Sequence, residues 1–154
     1  MPGKMQSSHF TKLGPGPFGP PLIGALLRIP WETVHRRMLE RLRERGFGDL
    51  DAPHLSVFLF PGPQGAKPSE LASRLRVSKQ SINHLLGQLE RFGYLERRDD
   101  PVDMRSRRIH LTPRGKAAGL IMREAVREVE HGWERRLGSK RLALLRRLLR
   151  ELCE

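Results

Sequence analysis

Residues 68–112 read PSELASRLRVSKQSINHLLGQLERFGYLERRDDPVDMRSRRIHLT, and the order of signals within them decides the fold. Pro68, Ser69 and Glu70 open a short helix. Proline in the first turn gives up only a donor that has no partner there, and an acid suits the positive end of the helix dipole. The apolar face of this helix is Leu71, Ala72 and Leu75. Arg76 and Val77 leave room only for a tight connection, so the next helix has to cross the first. Ser78 caps that second helix, Ile82, Leu85, Leu86, Leu89 and Phe92 recur at the spacing of one inward face, and Gly93 stops it. Two short strands are predicted next, Tyr94 to Arg98 and Arg107 to Leu111, joined by a polar loop that contains proline.

Helix, tight turn, helix, strand, loop and strand within about forty-five residues is the order of a winged helix-turn-helix, whose second helix offers its N-terminal residues to the major groove. The side chains of that helix left over from the core are Ser78, Lys79, Gln80, Ser81, Asn83, His84, Gln88 and Arg91. Amides pair with adenine, lysine donates to guanine, and hydroxyls bond phosphates or base edges, so these residues suit the reading of double-stranded DNA. Arg97 and Arg98 stand at the base of the hairpin, and Arg105, Arg107 and Arg108 at its tip. Five arginines around one turn repel one another unless an anionic partner is intended, and they suit phosphates or a narrow minor groove. Asp103, two positions before Arg105, is expected to hold that guanidinium by a paired hydrogen bond. The alternative use of the same order is a winged-helix module that docks protein or RNA without reading DNA. An acidic or apolar second-helix face would favour it, and this face is neither.

Outward from this stretch the chain reads as mainly α with a small β-hairpin wing. Residues 1–21 hold five prolines and four glycines and are expected to be a flexible arm without its own core. Residues 22–154 are expected to form a single domain whose winged helix-turn-helix spans 52–112. Leu22, Ile23, Leu26 and Leu27 sit at helical spacing, and Pro30 reads as the first-turn residue of a second helical piece, so a break or kink near Ile29 is predicted. Val34, Met38 and Leu42 recur every four residues before Gly46. Asp51 caps a short, largely buried helix through Leu55, Val57, Phe58 and Phe60, which the cluster Pro61 to Gly65 ends. Thr112 and Pro113 open a long helix that is interrupted near Gly138 and resumes at Ser139. Leu142, Leu145, Leu149 and Leu152 form the narrow stripe of a helix that pairs with another helix.

The 29 Lys and Arg outnumber the 17 Asp and Glu, and a formal charge of +12 draws the chain to polyanions. No run of about 18 apolar residues and no apolar leader are present, so no membrane partner and a cytoplasmic home are expected. Cys153 is the only cysteine, which excludes an intrachain disulfide framework and a thiolate-cluster zinc site. The histidines lack ligand spacing, so no metal or cofactor is expected. With no Gly-rich phosphate loop, no nucleophile with His and acid partners and no carboxylate pair in a local motif, no catalytic residue is named and an enzyme is not expected. Trp31, Met38 and Phe58, with Met122 and Trp133, fit either plain core or the lining of an effector cavity.

The blocks Pro68-Ser69-Glu70-Leu71-Ala72, Ser78-Lys79-Gln80-Ser81, Leu89 to Arg97, Asp103-Met104-Arg105 and Leu111-Thr112-Pro113-Arg114-Gly115 resemble the multiple-antibiotic-resistance regulator (MarR) family over roughly residues 22 to 135. That resemblance implies a homodimer held by dimerisation helices at 22–46 and 113–153, with one recognition helix per subunit in a major groove and one wing arginine in a minor groove. It further implies a repressor of an inverted-repeat operator, released in many members by a small lipophilic or phenolic effector. Two positions depart from the pattern: Lys67 stands where the family commonly has a hydroxyl cap, and Arg108 where it is usually apolar.

Overall fold

A computed structural model describes residue 17 and residues 19–59 and 64–153. Most of the arm, and Phe60 to Pro63 after the second helix, lie outside the described residues. Six helices and one antiparallel hairpin are described: α1 (Ile23–Glu44), α2 (Ala52–Leu55), α3 (Pro68–Leu75), α4 (Lys79–Arg91), β1 (Leu95–Asp99), β2 (Arg107–Leu111), α5 (Pro113–Leu137) and α6 (Ser139–Glu151). The chain falls into two compact units, one ending at Thr33 and one from Val34 to Glu154.

In the first unit, α1 continues through Pro30 without the break that was one of the two outcomes expected near Ile29. A proline inside a helix removes one backbone bond, and here the freed carbonyl belongs to Leu26 on a turn whose residues are exposed, where water can satisfy it. The Thr33 hydroxyl also donates to the Ile29 carbonyl at 3.0 Å, and Arg28 pairs with Glu32 one turn on.

The second unit has its core where the apolar spacing predicts. Val34, Met38 and Leu42 of α1, Leu71 and Ala72 of α3, Ile82, Leu86 and Leu89 of α4, Ile109 of β2, and Ala118, Met122 and Ala125 of α5 are all buried. Burying a leucine or isoleucine contributes about 1.5–3 kcal/mol, so the α3 and α4 side chains alone hold these two helices crossed. Glu128 of α5 takes both Arg37 and Arg41 of α1, and its carboxyl is held below the usual carboxylate range, first by Arg41 and then by Arg37.

Three helix ends stop the same way. The amide two or three residues past the end reaches back to a carbonyl five residues earlier, from Phe47 to Leu42, from Val77 to Ala72 and from Tyr94 to Leu89. The left-handed residue in each is Gly46, Arg76 and Gly93, so at the helix-turn-helix turn an arginine takes the place glycine normally fills. Because the Tyr94 amide is committed to Leu89, β1 begins at Leu95, one residue later than the alternation suggests. The hairpin pairs Leu95 with Leu111 and Asp99 with Arg107. Beyond β2, Thr112 joins α5 to the hairpin base. Its amide donates to the Tyr94 carbonyl and its hydroxyl to the Gly93 carbonyl, while that hydroxyl also accepts from Gly115 N to cap α5. The helix expected from Asp51 through Phe60 is α-helical only to Leu55 and continues as a short 3-10 turn, Ser56–Leu59, and Gly138 separates α5 from α6.

Candidate nucleic-acid interface

Ser78 caps α4 through its hydroxyl, which accepts from Ser81 N at 3.0 Å and lies 2.8 Å from the Ser81 hydroxyl. These two serines therefore spend bonds on starting the helix. Lys79, Gln80, Asn83 and His84, one turn apart in pairs, are all exposed on the same side. Gln88 was expected on this face, but its side-chain oxygen lies 3.1 Å from Nε2 of buried His54. His54 Nδ1 accepts from the Asp51 amide, so Nε2 carries the proton and donates to Gln88. His54 and Gln88 thus anchor α4 to α2, while Arg91, at the far end of the helix, is exposed.

The hairpin arginines divide by partner. Arg97 turns back to Glu90 of α4 at 2.9 Å, Arg98 pairs with Glu96 on its own strand, and Arg107 lies 3.6 Å from Asp99 across the hairpin. Arg108 donates through Nε to Asp100 at 3.0 Å and lies 3.4 Å from the Gly65 carbonyl. Arg105 is exposed at the tip, and its guanidinium forms no ion pair among the described residues. Asp103 does not hold that guanidinium: its Oδ1 accepts from the Arg105 backbone amide at 3.1 Å. An Asx turn of this kind uses the short side chain on the nearest backbone donor, which leaves the arginine side chain free to reach outward.

Asp100 is the residue that sequence reasoning missed. It is 1% exposed, accepts from the Val102 amide at 2.9 Å, and gathers Ser106, Arg108 and Lys67 around Oδ2. The Val102 bond is the leading cause that holds its carboxyl far below the usual range, with Lys67 and Arg108 adding to it. Charge-rich sequence on both sides hides this residue, and only the return of the chain from Gly65 to Lys67 makes it a junction.

A cleft of about 430 Å³ opens between the start of α3, α4 and the hairpin, with Lys67, Lys79, Asn83, Arg97 and Arg107 on its walls. The residues expected to line an effector cavity lie elsewhere. Met38 is buried in the core, Phe58 packs edge-on to Tyr94, and Trp31 belongs to the first unit, where it is half exposed. Among the described residues no group of three His, Cys, Asp or Glu could hold a metal, and no helix is long and apolar enough to cross a membrane.

Residues 49–106, which carry α2, α3, α4, β1 and the wing loop, match the model of the MarR family. This segment is similar to the winged helix-turn-helix of the MarR family. An HTH-type transcriptional regulator of Bacillus subtilis, YkoM, is 32% identical over 85 residues, which are 55% of this chain and 54% of that protein, so the match spans about half the length of that relative. Among solved structures, the transcriptional regulator Tm0710 of Thermotoga maritima is 26% identical with a TM-score of 0.57, covering 82% of this chain and 88% of that one. The Mycobacterium tuberculosis MarR family protein Rv2887, solved with salicylic acid, is 25% identical with a TM-score of 0.62, covering 86% and 96%. MarR of Escherichia coli, 22% identical with a TM-score of 0.68 over 87% and 98% of the two chains, has the same fold. The likeness of fold thus extends beyond the matched segment, over 82–87% of this chain.

Proposed function

We propose that this chain is a sequence-specific double-stranded DNA-binding transcription regulator, acting as a homodimeric repressor at an inverted repeat. The observation that carries this reading is the free polar face at the start of α4. Lys79, Gln80, Asn83 and His84 point away from the core beside a hairpin whose tip arginine is unpaired among the described residues. Gln80 and Asn83 supply paired bonds to adenine, Lys79 to guanine, and Arg105 suits a narrow minor groove. A second copy is supported by α5 and α6, where Leu120, Leu144, Leu145, Leu148 and Leu152 are exposed, as few monomers would leave them.

Release by a small effector is supported by the cations around the cleft. An aromatic carboxylate, the kind of ligand bound by Rv2887, would meet Lys79 there and stand between α4 and the wing. Duplex binding is measured by fluorescence anisotropy across a salt series. Affinity falling linearly on a log–log plot with salt, and Gln80→Ala or Asn83→Ala relaxing preference at particular base pairs, are expected. Equal losses on every sequence would contradict base reading, and no binding to any duplex would turn the assignment toward a protein- or RNA-docking module.

A further inference from the structure

Lys67 and Arg108 meet at one carboxylate, that of Asp100. Asp100 follows the last residue of β1, and its amide donates to the Ser106 carbonyl at 3.0 Å, closing the wing loop. Its Oδ1 accepts from Val102 N and its Oδ2 from the Ser106 hydroxyl at 3.3 Å and Arg108 Nε at 3.0 Å, with Lys67 Nζ at 3.3 Å. Lys67 is the residue from which α3 starts. Its neighbour Ala66 exchanges both backbone bonds with Ile109 of β2, at 3.1 and 2.8 Å. The chain entering α3, the second strand of the wing and the wing loop are therefore joined at one buried side chain. Within that loop Ser106 N donates to the Asp103 carbonyl, and Arg105 N to the Asp103 side chain. These two bonds tie Arg105 and Ser106 to Asp103, so the way the loop is carried on its base bears directly on where Arg105 stands.

We infer that Asp100, held by Lys67 and Arg108, is a positioning residue that fixes the wing against the start of α3 and so sets where Arg105 meets DNA. Lys67 and Arg108 are then internal cations rather than phosphate contacts. The inference rests on the reading that this chain binds duplex DNA through α4 and the wing. It makes a prediction opposite in sign to simple electrostatics. Asp100→Asn removes one negative charge from the wing, which by charge alone would tighten binding. Loss of the junction instead frees the loop, and binding to sites with A·T-rich flanks weakens by about tenfold, roughly the worth of one well-placed contact.

The test is a double-mutant cycle of Asp100→Asn with Arg105→Ala, read by duplex affinity and by minor-groove protection from hydroxyl radical. Expected are a loss in Asp100→Asn, disappearance of the flank protection with the operator core still protected, and no further loss when Asp100→Asn is added to Arg105→Ala. Binding as tight as or tighter than wild type in folded Asp100→Asn, or losses that simply add, would overturn the inference. Should Asp100→Asn fail to fold, Arg108→Gln carries the same cycle. Its loss must vanish in the Arg105→Ala background, and an additive loss would show Arg108 to be a phosphate contact. A wild-type chain that binds no duplex would contradict the proposed function instead, so the two failures are told apart.

Discussion

At the wing, five arginines within twelve residues differ in what their guanidiniums touch. Arg97 and Arg108 are partly buried against carboxylates, whereas Arg105 and Arg107 face solvent. Arg98, equally open to solvent beside Glu96, groups with the latter two, and these three rather than Arg97 and Arg108 should release counterions on binding. Arg107→Gln is expected to lower the salt slope of duplex binding by about one, and Arg97→Gln to leave the slope unchanged while costing stability. Equal changes in slope, measured by anisotropy between low and near-physiological salt, would contradict this division. Tyr94 gives a second test, since it is the only tyrosine in the chain. Burial and the hydrogen bond to Asp49 push its phenol from 10.0 up to about 12, against the opposing pull of Arg114. A group whose folded value is raised contributes stability that is intact below its unfolded value near 10 and is lost as pH rises toward the folded one. Near about pH 10.5 the native protein should show little tyrosinate absorbance, while the urea-unfolded chain should be more than half ionised. Equal absorbance in the two states would mean that the phenol is not held as described.

Among the elements, the joint between α5 and the hairpin base leaves least room for change. A Cβ on Gly115 would stand 2.1 Å from the Tyr94 carbonyl oxygen, so Gly115→Ala has to push backbone apart. A loss of at least about 2–3 kcal/mol is expected in urea unfolding, and a loss under about 0.5 would contradict the packing. At the helix-turn-helix turn, Arg76 holds φ 52° and ψ 42°, the conformation that Gly46 and Gly93 serve at the other two helix ends. Arg76→Gly relieves that strain while adding backbone freedom to the unfolded chain, so a net gain of about 0.5–1 kcal/mol is expected from thermal melts. A net loss would show that the arginine side chain contributes more than its backbone costs. The start of α4 at Lys79, its Ser78 cap and the interruption at Gly138 were legible in the sequence, because caps and glycines act on backbone groups close by. The passage of α1 through Pro30 was not, because whether a freed carbonyl can find water depends on exposure. The roles of Gln88 and Asp100 were illegible for a related reason. Their partners His54 and Lys67 lie more than thirty residues away in the chain, and no local pattern marks such pairs.

For the molecule as a whole, charge and apolar surface point to two different partners. A net charge of +12 favours a polyanion, while the leucines exposed along α6 favour a second helix surface. In the proposed homodimer these requirements are linked, since two reading heads gain specificity only when a seam holds them at a set distance. Leu145→Asp with Leu148→Asp is expected to shift the chain to a monomer in light scattering and to abolish tight duplex binding without unfolding α3 and α4. An unchanged mass would place the seam elsewhere. The most direct test of the central claim is selection of bound sequences from a random duplex pool at near-physiological salt. An inverted repeat with half-sites about 34–36 Å apart, lost on changing Gln80 and Asn83 to alanine, is the result expected. Recovery of no sequence preference with wild-type protein would contradict the claim.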